Sequence, residues 1–242
     1  MVAAPVTDLV SAHADEDEFA ISESLVPARE IKAQGITRVG LDGILKDQLR
    51  LKEDLKKGCG GQLWPAGIAL AKYMLRNHAS DLHGKTIVEL GAGGGLVGLA
   101  VAQACRIDSD MFITDQEPML PLMRENIDLN GLSSKVKALV LDWGSPLPDA
   151  IPDNPEVILA ADCVYFEPSF PLLRSTLQDL LGPESVCYFC FKRRRRADMR
   201  FLKEARKIFD VVEIRGVEDE EMYRRENIFL YTIRQRTTGG KM

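Results

Sequence analysis

From Thr86 onward, short apolar runs alternate with stretches whose apolar residues recur every three or four positions. Thr86–Leu90, Met111–Thr114, Val136–Leu141, Val157–Ala161, Ser185–Phe191, Phe209–Ile214 and Ile228–Ile233 read as strands. Between them, Leu96–Cys105, Glu117–Asn130, Pro168–Leu181 and Ala197–Ile208 read as helices, with Gly131 suited to a C-cap. This alternation predicts a parallel sheet covered on both faces by helices. Ahead of it, Pro65–Asn77 carries helical periodicity, with Pro65 at a first helical position. Ile36–Leu55 alternates apolar and polar residues around Asp42-Gly43, the pattern of a hairpin or extended cover. Gly58-Cys59-Gly60-Gly61 then reads as a hinge, and Glu218-Asp219-Glu220-Glu221 as an acidic loop before the last strand. The expected organisation is an acidic flexible tail over residues 1–30, the hairpin cover over 31–57, the main domain over 58–236 and a flexible end over 237–242.

Ligands of such sheets bind outside the carboxyl ends of the strands. Ile87-Val88-Glu89-Leu90 ends in the glycine turn Gly91-Ala92-Gly93-Gly94-Gly95, and Phe112-Ile113-Thr114 ends in Asp115. A glycine turn allows close backbone approach to a ligand, and the second acid suits two ribose hydroxyls. A dinucleotide turn wants a small residue where Leu96 stands. Glu89 also puts a carboxylate just before the turn, a poor neighbour for phosphate and a good one for a cation. S-adenosylmethionine carries an α-ammonium and a sulfonium and no phosphate. The pair of acids therefore favours a methyl donor over a dinucleotide.

Composition narrows the field further. The chain has 242 residues, 45% hydrophobic and 28% charged, with a net charge of −5, enough for one sizeable α/β domain and unlike a general polyanion binder. No apolar run approaches the roughly 18 residues of a membrane span, and the first residues lack the basic-then-apolar pattern of a secretory signal. Cytoplasm is the expected compartment, with the nucleus as alternative. Five cysteines and three histidines show no metal-ligand spacing, and no metal is expected. Cys187 and Cys190, three apart in one strand, should face opposite sides of the sheet.

Five pieces in order resemble a seven-stranded class I methyltransferase with a Rossmann-like sheet, and more narrowly the protein-lysine methyltransferases of methyltransferase family 16. They are Gly61-Gln62-Leu63-Trp64-Pro65-Ala66-Gly67, Val88-Glu89-Leu90-Gly91-Ala92-Gly93, Ile113-Thr114-Asp115, Asp142-Trp143 and Leu159-Ala160-Ala161-Asp162-Cys163-Val164-Tyr165. The first of these, with Phe191-Lys192-Arg193-Arg194-Arg195-Arg196-Ala197-Asp198, is most similar to fungal members that methylate translation elongation factor 1A. The resemblance implies S-adenosylmethionine as donor and a protein lysine as acceptor, with elongation factor 1A a candidate partner. It implies Trp64 near the methionine end, Glu89 at the turn, Gly91, Ala92 and Gly93 beneath ribose and methionine, Asp115 on the ribose, Trp143 beside adenine and Ala161 against the donor.

Asp162 and Tyr165 belong to the acceptor side. Amide and adenine-amino methyltransferases carry an Asn/Asp-Pro-Pro-Tyr/Phe element there; here Asp162-Cys163-Val164-Tyr165 has no prolines, and a carboxylate suits a lysine ammonium. Simpler roles stand beside these: Trp143 as a core aromatic, Trp64 as an anchor of the first helix, Asp162 as a turn or helix cap. Lys192–Arg196 reads as a solvated basic turn paired with the acidic loop at 218–221, as a grip on an acidic protein or RNA, or as a nuclear address. RNA or small-molecule methylation, and a catalytically silent cofactor-binding scaffold, are the alternative functions. A monomer without membrane or stable nucleic-acid partners is expected.

Overall fold

The computed structural model describes residues 35–54 and 61–236. The tail, the Gly58–Gly60 part of the hinge and residues 237–242 lie outside them. A hairpin comes first, β1 (Ile36–Val39) antiparallel to β2 (Leu49–Lys52). Helix α1 (Pro65–Asn77) follows, with Pro65 in its first turn as the sequence predicts. The chain then runs β3 (Ile87–Leu90), α2 (Leu96–Ala104), β4 (Met111–Asp115), α3 (Leu120–Leu129), β5 (Val136–Val140), β6 (Val157–Ala161) and α4 (Phe170–Leu180). It finishes with β7 (Val186–Lys192), α5 (Arg196–Ala205), β8 (Phe209–Glu213), α6 (Glu220–Arg225) and β9 (Ile228–Gln235).

Seven strands form one sheet in the order β5-β4-β3-β6-β7-β9-β8. The five from β5 to β7 are parallel, whereas β9 runs antiparallel to both its neighbours. The sheet is therefore mixed, which corrects the all-parallel expectation. A parallel return from β8 needs a crossover helix long enough to span a strand. At 1.5 Å per residue, the six residues of α6 rise only about 9 Å, so the chain turns back at the same end.

Both faces of the sheet are buried, and alternate residues enter different cores. Along β7, Val186, Tyr188 and Cys190 join the core beneath α1, α2 and the hairpin, while Cys187, Phe189 and Phe191 join the one beneath α4 and α5. Cys187 and Cys190 thus point to opposite faces, as the spacing requires, and burial pushes both thiols up. The hairpin supplies Val39, Leu41, Leu45, Leu49 and Leu51 to the first core.

The acidic stretch at 218–221 is not a plain loop, a second correction. Glu220 and Glu221 sit in the first turn of α6 and pair with Arg224 (3.5 Å) and Arg225 (3.4 Å) one turn on. Acid before base at four-residue spacing favours a helix and complements its dipole. Glu218 and Asp219 instead grip α1, through Arg76 at 2.9 Å each, with Lys72 3.4 Å from Asp219.

Candidate active site

A cavity with about 950 Å³ of empty space, part of it open to solvent, lies at the carboxyl edge of β3, β4 and β6. All ten residues singled out from the sequence line it: Trp64, Glu89, Gly91, Ala92, Gly93, Asp115, Trp143, Ala161, Asp162 and Tyr165. Gln62, Leu63, Val97, Cys163 and Arg194 line it too; all but Val97 fall in motifs marked out in the sequence, though the sequence assigns none of them a role of its own at the site.

Its floor is the turn between β3 and α2. Gly91 takes φ +61°, and a Cβ there would meet the Trp143 indole at 3.0 Å and the Cys163 sulfur at 3.1 Å. The missing side chain is what lets the indole lie against the backbone. Asp115, at the end of β4, accepts hydrogen bonds from the N–H groups of Gly93 (2.7 Å) and Gln116 (2.7 Å). Burial raises its carboxyl above the usual range despite these donors, and nearby Asp142 adds to the rise.

Glu89 is more deeply placed than its sequence position suggests. It is 2% exposed, and its Oε2 accepts the N–H of Gly98 at 2.8 Å. The carboxyl thus satisfies one of the unpaired donors at the start of α2 and ties the glycine turn to its helix. Burial pushes it up to about 8, with the Asp115 charge contributing in the same direction. Gly98 is the close-packing glycine that the Gly-x-Gly-x-x-Gly comparison sought at Leu96. A Cβ there would meet Ile113 at 2.5 Å and Glu89 at 2.6 Å. The glycine three residues beyond Gly95 was the available signal.

At the other end, Asp162 leaves β6 in the left-handed region (φ +56°), which Asp tolerates better than most side chains. Its N–H donates to the Cys190 carbonyl at 2.8 Å, so the kink sits against β7. The side chain, 5% exposed, accepts both arms of the Arg194 guanidinium, at 2.8 Å and 2.7 Å. The N–H of Lys192 is 3.2 Å from the same carboxylate. Arg194 also lies 5.0 Å from the centre of the Trp64 ring. Tyr165 stands half-exposed at the rim beside Phe166.

The basic run is thus not paired with the acidic stretch at 218–221. Lys192 lies 3.9 Å from Glu226, Arg193 donates to Asn227 at 2.7 Å and covers Phe229, and Arg195 pairs with Asp198 at 3.2 Å. Arg194 alone of these lines the cavity.

The sequence pattern of the family described as lysine methyltransferase matches residues 44–208, most of the chain. The chain belongs to the lysine methyltransferase family. It is 36% identical over 234 residues to the protein-lysine N-methyltransferase EFM6 of Saccharomyces cerevisiae, covering 86% of this chain and 95% of that protein. It is 35% identical over 138 residues to the EEF1A lysine methyltransferase 3 of Mus musculus, 57% of each chain. The fold matches the T. thermophilus 16S rRNA methyltransferase RsmC with a TM-score of 0.60 at 15% identity, over 84% of this chain and 50% of that one.

Family membership makes the reaction a methyl transfer to lysine nitrogen, and the cavity fits S-adenosylmethionine as its source. The glycine turn leaves room against its backbone, Asp115 offers a carboxylate for ribose, and both indoles line the space. Among the described residues no cluster fit for a metal ion occurs, and no helix is long and apolar enough to cross a membrane.

Proposed function

We propose that this protein is an S-adenosylmethionine-dependent protein-lysine N-methyltransferase acting in the cytoplasm on a non-histone substrate, translation elongation factor 1A. The observation that carries the reading is the convergence of ten residues, drawn from five separate stretches of chain, on one cavity at the carboxyl edge of the sheet. The substrate follows from the named activity of the mouse relative and from the motifs shared with fungal elongation-factor enzymes.

Bound S-adenosylmethionine supplies a methyl group already activated by positive charge, so the chain need provide no covalent catalyst. Asp115 would hold the ribose, Trp143 would lie beside the adenine, and the turn from Gly91 to Gly93 would support the remainder. Trp64 offers an indole face to positive charge, an attraction worth about 0.5–2 kcal/mol. Free lysine, with a pKa of roughly 10.4, arrives protonated. The Asp162 carboxylate draws that ammonium inward, and Tyr165 shapes the mouth through which the side chain passes. Burial beside a second cation then lowers the lysine pKa, so the proton leaves to water and the lone pair is freed. Alignment of that lone pair is the main source of acceleration, since a well-oriented bound pair gains about 7–11 kcal/mol over free reactants at most.

Purified protein incubated with deuterated methyl donor and elongation factor 1A should add label to lysine, mapped by mass spectrometry. Label on RNA that survives protease, or no protein product with donor bound, would reject the reading.

A further inference from the structure

The carboxylate assigned above to the incoming lysine already holds a cation. Both oxygens of Asp162 accept from Arg194, at 2.8 Å and 2.7 Å, and the same guanidinium covers the Trp64 ring at 5.0 Å. All three side chains line the donor cavity. The groups suited to a lysine ammonium are therefore both engaged by a residue of the chain itself. We propose that Arg194 is a resident surrogate for the substrate cation, and that a substrate lysine reaches Asp162 by displacing the Arg194 side chain. The inference rests on the lysine-methyltransferase reading.

The surroundings suit a moving side chain on a fixed backbone. Arg194 lies in the short connection between β7 and α5, where its N–H donates to Asp198 at 2.8 Å. Asp198 is 1% exposed and also holds the N–H of Arg195 at 2.9 Å. Arg193 donates its own N–H to the Asn227 carbonyl at 2.7 Å. The main chain is thus tied on both sides. The Arg194 side chain, which also donates to the Lys192 carbonyl at 3.3 Å, is about one-third exposed.

Charge makes the two occupants exclusive. A single buried carboxylate beside the positive donor cannot favourably hold a guanidinium and an ammonium together, because like charges a few ångströms apart repel strongly at low dielectric. Exchange of one cation for another never leaves Asp162 buried without a partner, the costly state for such a group. The exchange is also selective. An ammonium cannot reproduce the planar two-pronged contact of a guanidinium, so a small amine gains too little to displace it. A lysine carried on a protein adds binding energy from surfaces elsewhere. Arg194 on this account makes the acceptor end prefer lysine in a protein over free amines.

The test uses the full chain with Arg194→Gln and Arg194→Lys, and two acceptors: elongation factor 1A and Nα-acetyl-lysine methylamide. Apparent affinity scales with the fraction of molecules whose site is open, so Arg194→Gln should raise kcat/KM for the protein about tenfold, through KM rather than kcat. Arg194→Lys, which keeps the charge and loses the fork, should fall between it and wild type. The small amide, untouched by wild type, should be methylated by Arg194→Gln. Thermal melting checks that each variant is folded. If KM is unchanged or raised in variants that fold, or kcat falls while KM holds, Arg194 orients Asp162 and is no surrogate. A wild type that binds donor yet labels no lysine removes the parent reading, and this inference with it.

Discussion

A single carboxyl, Glu89, shows how a residue's neighbours alter what its sequence position suggests. Beside a glycine turn it reads as a partner for a cation. Folded, it lines the cavity and also receives the Gly98 N–H at 2.8 Å from the start of α2. Its folded carboxyl titrates at about 8 against an ordinary 4.5, so between those values the folded state holds a proton that the unfolded chain has released. The stability this group contributes is complete below about pH 4.5 and is lost as pH rises through about 8. Glu89→Gln keeps an acceptor for Gly98 and removes the ionisation. The melting temperature of the ligand-free variant should exceed that of wild type by several degrees at pH 8, with the gap closing by pH 5, as differential scanning calorimetry would register. A gap independent of pH would contradict the burial argument. Arg194 presents the opposite problem at the same scale. Five consecutive basic residues look interchangeable in a sequence. Which one turns inward depends on the register of β7 and on the left-handed kink at Asp162, both of which are tertiary facts.

Elements were legible where periodicity was strong and obscure where charge or antiparallel return set the outcome. Helix α1 and the parallel strands follow from apolar spacing and from Pro65. The six residues of α6 did not, because their helical signal is a pair of acid–base contacts rather than an apolar stripe. The hairpin's reach to the site was equally hidden. Asn126 on α3 is fully buried; its Oδ1 accepts the Lys52 N–H of β2 at 2.8 Å. Its Nδ2 donates to the Gly94 carbonyl at 2.9 Å. One amide thus connects hairpin, helix and glycine turn. Asn126→Ala would strand buried polar groups on both sides, at a cost of about 1–3 kcal/mol. Urea unfolding should show that loss, and calorimetry should show weaker donor binding as the turn loosens. Wild-type values for both would mean that the hairpin covers the domain without bracing its site.

Across the whole molecule, function was readable because strand ends are where an α/β sheet gathers its ligands. Residues as far apart in the chain as Glu89 and Asp162 meet at one edge for that reason, although nothing local joins them. What the chain alone left hidden was the state of the acceptor end, where Asp162 is occupied by Arg194. The central claim is that this edge holds the methyl donor with its reactive end toward Asp162. A crystal structure with S-adenosylhomocysteine tests it most directly. The account predicts ribose hydroxyls on Asp115, adenine beside Trp143 and sulfur directed toward Trp64 and Asp162. A nucleoside seated elsewhere, or one reversed so that adenine meets Asp162, would contradict it.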